Sequence, residues 1–264
     1  MTEPTLYPES GFLRLRLDLA YDGTNFSGWA KQPNERTIQE EIEKALSTIT
    51  QTKVATIVAG RTDAGVHAKH QVIHADLPSQ TDINNLAFRL NQILDADIRV
   101  LDAQWAPVNF HARFTAISRT DQYKIIDAGK VTAPLDRHDS TEWFRPLDIE
   151  LMKRGAELFN GEHDFCNYVT KPNDNTQTNR FVLESKVMVN TFYNANFFPE
   201  KSFAFVISSK GFMRNQVRLI MGQLFKLGKG ETDLDFIEHS LKARLEKPLR
   251  EIAPSSGLIL QGLD

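Results

Sequence analysis

Nine consecutive residues, Gly60-Arg61-Thr62-Asp63-Ala64-Gly65-Val66-His67-Ala68, hold an arginine, an aspartate, a histidine and two glycines. They follow an apolar run, Val54 to Ala59, that reads as a buried strand. Glycine tolerates φ > 0 and lets a ligand approach the backbone closely. An aspartate beside an arginine is held ionised, because a nearby opposite charge favours the carboxylate. The planar guanidinium fork also suits a carboxylate in shape. The stretch predicts one of two things. It is either an oriented, charged carboxylate at a strand end, suited to nucleophilic or base chemistry, or a glycine turn with a surface ion pair.

A second chemistry to weigh is metal binding. His67, His70 and His74 lie close in sequence with Asp63 nearby, and imidazole suits zinc, iron or nickel. They span a turn and a strand, where that spacing does not set all three on one face. Cys166 is the single cysteine, which excludes an intrachain disulfide and a cysteine zinc cluster. It reads as a small packed residue.

With 41% hydrophobic and 25% charged residues, the composition is that of an ordinary soluble protein. No apolar run approaches the roughly 20 residues of a membrane-spanning helix. Met1 to Gly11 is polar, with two prolines, and lacks the apolar core of a secretory signal. A cytoplasmic location is the default. The net charge of −3 provides no overall basic field, so a nucleic-acid surface must be a local patch.

The elements that position these residues follow from periodicity. Leu13, Leu15, Leu17 and Leu19 alternate with Arg14, Arg16 and Asp18, predicting a half-buried strand with the arginines on its solvated face. Thr37 and Glu40 predict a capping box before a helix with Ile38, Ile42, Ala45, Leu46 and Ile49 on one face. After the Gly60–Ala68 loop come a strand over Gln71–Ala75, a helix opened by Asp82 and a strand at Ile98 and Val100. The order is βαββαβ, as in ferredoxin-like folds. The rest repeats this loosely. A strand covers about Ala116 to Ile126, and an insertion carries Pro134, Trp143 and Pro146. A helix starts near Asp148, strands run over Phe181–Val189 and Phe203–Ser208, and helices over Phe212–Leu227 and Leu234–Leu245 precede a last strand at Leu258. The expected fold is α+β: two ferredoxin-like halves, 1–108 and 109–264, forming a continuous, mostly antiparallel sheet with helices on one face and the active cleft between the halves.

Six stretches together resemble the TruA family of tRNA pseudouridine synthases, over nearly the whole chain. Gly60 to Ala68 matches its G-R-T-D-A-G-V-H-A. Tyr21 to Trp29 matches Y-D-G-x-x-F/Y-x-G-W, and Phe110-His111-Ala112-Arg113-Phe114 matches F-H-A-R-F. Gly161 to Phe165, Phe212 to Gly222 and Ala253 to Leu258 resemble three further motifs, the second with Arg218 as its arginine. The resemblance implies isomerisation of uridine to pseudouridine at positions 38–40 of the tRNA anticodon stem-loop. The C1′–N1 bond is broken, the uracil turns, and it is rejoined through C5. It implies no cofactor and no metal, and a homodimer with tRNA crossing both subunits. Asp63 is then the nucleophile or ribose base, and Arg61 pairs with it. Gly60 and Gly65 let the ribose approach. The target uridine is flipped out to be reached, with His67 and Phe26 filling the vacated stack or lining the path. His67 equally suits a loop histidine satisfied by backbone. Arg218 reaches the active cleft. Arg113 is a candidate to bind the substrate, and Lys210, Arg214 and Arg218 at the start of the Phe212–Leu227 helix, with Lys31, Arg14 and Arg16, are candidates for phosphate contacts, a solvated strand face being the first reading for Arg14 and Arg16.

One departure stands out. After F-H-A-R-F the family has R-x-Y-x-Y, whose first tyrosine stacks on the target uracil, whereas this chain has Arg119-Thr120-Asp121-Gln122-Tyr123. Asp121 therefore occupies the stacking position. Tyr123 matches the second tyrosine and lies about 6.6 Å further along the same strand face. Asp121 suits a proton acceptor at C2′ or C5, or it marks an impaired site. Ala30 stands where the family usually has glutamine. Two rival readings are a catalytically weakened tRNA-binding paralogue and, further off, a histidine-metal hydrolase.

Overall fold

Leucines alternating with charge set the first strand. β1 (Phe12–Tyr21) buries Leu15, Leu17 and Leu19 completely. The computed structural model describes residues 7–127, 141–143, 147–190 and 202–264. It forms two units, Met1–Ile117 with Leu260–Asp264, and Ser118–Ile259.

In the first unit, β1 is followed by α1 (Ile38–Thr50), β2 (Thr56–Val58), β3 (His67–Pro78), α2 (Leu86–Ile93) and β4 (Ile98–Trp105), the expected βαββαβ order. β1 pairs antiparallel with β3 and β4, and β2 pairs antiparallel with β3. The register sets Leu15 opposite Ala75 and Leu17 opposite Ile73. These residues join Ile38, Ile42 and Leu46 of α1 and Leu86 and Leu90 of α2 in one core. Each large side chain buried there stabilises the fold by about 1.5–3 kcal/mol.

Three local expectations give way to tertiary structure. Thr37 precedes α1, but its side chain caps nothing and is fully enclosed. The first helical N–H groups are satisfied instead by loop carbonyls: Ile38 N donates to Gly28 O at 3.2 Å and Gln39 N to Trp29 O at 3.0 Å. The second helix starts at Leu86 rather than Asp82, whose carboxylate accepts from Asn84 N at 3.0 Å in a local turn. Finally, Arg14 is not solvated. It is 1% exposed, with two parallel bonds to Asp76 (2.9 and 3.0 Å) and further bonds to Val108 O (3.2 Å) and Phe110 O (2.9 Å). The sheet face opposite the helices is thus covered here by the segment after β4. On that face Ala112 N donates to Nδ1 of buried His74 at 3.1 Å. Burial, reinforced by Arg14 and His111, pushes the His74 pKa down to about 4, so the ring is neutral and accepts this bond.

The second unit runs β5 (Arg119–Asp127), β6 (Thr141–Trp143), α3 (Ile149–Glu157), β7 (Gly161–Asp164), β8 (Asn179–Val189), β9 (Ser202–Ser209), α4 (Gln216–Gly228) and α5 (Leu234–Lys242). β10 (Leu258–Leu263) begins in this unit and ends in the first. β9 lies antiparallel between β5 and β8, β7 pairs antiparallel with β8, and β6 is parallel to β5. Asp148 caps α3 as its position predicts, accepting from Leu151 N at 2.8 Å. α4 begins at Gln216 rather than Phe212, because Asn215 has a left-handed φ of +58°. Arg214 therefore precedes the helix, and of the basic residues expected along its start only Arg218 lies on it. His163 and Asp164 of the Gly161–Phe165 stretch lie on β7. Pro134 and Pro146 of the expected insertion lie outside the described residues; Trp143 ends β6. The chain is mixed α/β, with mostly antiparallel strands. Among the described residues no helix is long and apolar enough to cross a membrane.

The Arg14 contacts generate a prediction. Arg14→Ala leaves Asp76 and two carbonyls without their partner, and is expected to cost about 3–5 kcal/mol. Arg16→Ala removes a half-exposed pair with Asp18 and is expected to cost under about 1 kcal/mol. Denaturant unfolding of both variants measures the contrast, and equal costs would contradict it.

Candidate active site

Asp63 sits on a loop whose backbone is held from both directions. Gln71 Nε2 on β3 donates to Gly60 O at 2.8 Å. Trp29 N donates to Thr62 O at 3.1 Å, and the Tyr21 hydroxyl meets Thr62 Oγ1 at 2.8 Å. Gly65 N donates to Phe26 O at 3.2 Å, and Val66 N closes the turn on Asp63 O at 3.2 Å. The 21–29 segment and the 60–66 loop therefore interlock backbone to backbone. Two glycines make this possible. A Cβ on Gly23 would lie 2.0 Å from Val66 O. Gly28 has φ +97°, and a Cβ there would come within 3.0 Å of Thr62 O and 3.2 Å of the Asp63 carbonyl carbon. Asp63 itself is half-buried, at the first position of the turn that Val66 N closes.

The ion pair expected between Arg61 and Asp63 is not formed. Arg61 is exposed, and among the described residues it takes part in no hydrogen bond or ion pair. Both oxygens of its neighbour Thr62 are tied to the 21–29 segment, while the Arg61 guanidinium keeps its hydration. His67 is the first residue of β3 and is buried. Its Nδ1 accepts from Gly23 N at 3.2 Å and lies 3.1 Å from Asp22 Oδ1. That carboxylate oxygen already accepts from the Thr24 amide and hydroxyl. His67 thus serves the loop junction, with Nε2 lacking a partner among the described residues. Phe26 is enclosed in the core, its ring covered by the Arg36 guanidinium at 4.1 Å, which in turn binds Asp97 and Asp95.

Arg113 is exposed on the segment that follows β4. The remaining three expected site residues belong to the second unit. Arg218 Nε donates to Ala253 O at 2.7 Å, and Ala253 N donates to Arg218 O at 3.0 Å. Tyr123, expected to face the substrate, is fully enclosed; its hydroxyl donates to Pro254 O at 2.9 Å and its ring meets Phe225 edge-on. Tyr123 and Arg218 thus both hold the Ala253–Pro254 segment. Asp121 is half-buried on β5, opposite Ile207.

The three histidines do not converge. His70 Nε2 lies 3.1 Å from Asp18 Oδ2, and the Nδ1 atoms of His67 and His74 accept backbone N–H groups. Among the described residues no group of three or more histidine, cysteine or carboxylate side chains is placed to hold a metal ion. Reasoning from the sequence missed Thr62, Gln71 and Gly23 as supports of the loop. The glycines of the Tyr21–Trp29 stretch were the available signal.

The loop thus holds one carboxylate beside a polar and aromatic segment whose backbone is locked against it. The family model described as tRNA pseudouridine synthase matches residues 19–115 and 156–263. A Frankia casuarinae protein named tRNA pseudouridine synthase A is 38% identical, over 95% of this chain and 88% of its own length. Proteins of the same name from Corynebacterium glutamicum (36%, 96% and 89%) and Limosilactobacillus fermentum (36%, 94% and 94%) are similar throughout as well. The chain belongs to the tRNA pseudouridine synthase family, and it is an isomerase that converts uridine in tRNA to pseudouridine. The family match spans the Asp63 loop and Arg218 but not residues 116–155, where Asp121 and Tyr123 lie.

Gly28→Ala tests the interlock. The added methyl group strains φ and presses on Thr62 and Asp63. Turnover is expected to fall about 100-fold, as misplacement of a reacting group by an ångström does, with KM for tRNA little changed. Steady-state kinetics on tRNA measure both.

Proposed function

We propose that Asp63 is the catalytic carboxylate and that its target is a uridine at positions 38–40 of the anticodon stem-loop. Acting on the ribose as nucleophile or base, Asp63 lets the C1′–N1 bond break; the uracil turns and is rejoined through C5. The observation that carries this reading is the half-buried Asp63 at the start of a tight turn, with its neighbours' backbone groups tied down. A carboxylate that must meet one ribose carbon gains from such fixation, since little reorganisation remains at the moment of reaction. Arg61, which has no partner among the described residues, stands exposed two residues away, able to meet an RNA phosphate as the base leaves the stack.

Asp63→Asn keeps the shape and removes the charge. It is expected to lower pseudouridine formation at these positions by roughly 10,000-fold or more while largely sparing tRNA binding. Mapping pseudouridine in treated tRNA, beside a binding measurement, decides it: unchanged turnover refutes the assignment.

Asp121 stands where the resembling family has an aromatic ring, and a carboxylate has no face on which a base can stack. Asp121→Tyr is expected to keep or raise the rate. A folded, RNA-binding but inactive Asp121→Tyr enzyme would show instead that Asp121 has taken over a proton-transfer role.

A further inference from the structure

Phe114 is 66% exposed, although an aromatic ring of its size normally seeks burial. It is not loose. Its ring stacks on the His111 imidazole with centroids 4.2 Å apart and planes 23° apart. His111 is itself braced edge-on against buried His74 at 4.8 Å, and its carbonyl accepts from Phe114 N, Thr115 N and Thr115 Oγ1. The backbone beneath is fixed by Arg14 on Val108 O and Phe110 O and by His74 on Ala112 N. Between the two stacked rings in sequence, Arg113 is exposed and makes no hydrogen bond or ion pair among the described residues. The segment thus presents a rigid aromatic face beside an unpaired cation, in a chain whose net charge is −3.

We propose that His111, Arg113 and Phe114 form a docking platform for an unpaired nucleotide of the tRNA substrate, other than the uridine that reacts. The proposal rests on tRNA being the substrate. An exposed ring held flat by a second ring offers a π-face on which any base can stack, and the guanidinium supplies the matching phosphate contact. Pre-fixing the rings through Arg14 and His74 lowers the ordering cost of binding. Burial lowers the His111 pKa and so favours the uncharged ring. The arms of a tRNA offer unpaired bases beside a stem, and single-stranded bases are what aromatic platforms recognise.

The test compares Phe114→Ala, Phe114→Trp and Arg113→Gln with the wild-type chain, using labelled full-length tRNA. Because Phe114 is largely in water, all three variants are expected to keep the wild-type unfolding midpoint. Phe114→Ala is expected to weaken tRNA binding and raise KM by about 5- to 150-fold, the range that stacking of one base is worth, with kcat at saturating tRNA unchanged. Phe114→Trp is expected to restore both. Arg113→Gln is expected to lower the slope of log affinity against log salt by about 0.7–0.9. Wild-type affinity in Phe114→Ala overturns the platform, as does a loss confined to kcat. A change in oligomeric mass of Phe114→Ala by sedimentation would assign the face to a second copy of the chain and equally overturn it. A wild-type protein that binds tRNA but leaves its anticodon uridines unmodified would sink the catalytic reading instead, and the binding measurements would still decide the platform.

Discussion

Thr62 is the pivot of the loop junction in the first unit. Its carbonyl is held by Trp29 N and its hydroxyl by Tyr21, so the residue before Asp63 has no freedom left. The same 28–29 backbone turns its carbonyls to the N-terminus of α1, where Ile38 and Gln39 donate. Helix, first loop and second loop therefore form one hydrogen-bonded chain. A helix N-terminus leaves several donors unsatisfied, and here loop carbonyls take the place of a capping side chain. The carboxylate's position depends in this way on α1, whose apolar face is anchored in the core by Ile38, Ile42 and Leu46.

A second constraint lies on the other face of the first unit's strands. Buried Arg14 and His74, with half-buried Asp76 paired to Arg14, form a polar layer there, and Arg14 and His74 bond Phe110 O and Ala112 N of the segment that follows β4. Buried charges are tolerated when paired and hydrogen-bonded, and they become costly when one partner leaves. This gives an irregular segment the fixity of a regular element. It also explains how a chain without a basic excess can hold exposed aromatic and arginine side chains in set positions.

Much of this was legible in the sequence because the first unit follows simple periods. Leucines at every second residue of β1 and apolar residues at helical spacing in α1 gave the βαββαβ order, and the glycines marked the Asp63 loop. What the sequence hid depends on partners far along the chain. Alternation says that Arg14 points away from Leu15, but not that residues 108–110 cover that face. Thr37 and Glu40 have the form of a capping box, yet the carbonyls of Gly28 and Trp29 compete for the same donors. Arg61 beside Asp63 suggested a pair that the anchoring of Thr62 does not produce. The motif match and strand spacing point Tyr123 toward the substrate, while its hydroxyl bonds a carbonyl 131 residues away. The single left-handed residue Asn215 moved a helix start in a way that periodicity cannot register.

The last strand carries a consequence for how the chain is put together. Leu260–Asp264 belong to the first unit, where Leu260 enters the core and Asp264 O accepts from Ile117 N at 2.6 Å. Topologically, the second unit is therefore an insertion within the first. During synthesis the first unit emerges early but lacks its closing residues until the inserted unit has been made. Contacts of such long sequence separation close late and slowly. The loop that bears Asp63 thus belongs to a unit whose β10 residues are made only after the whole of the second unit.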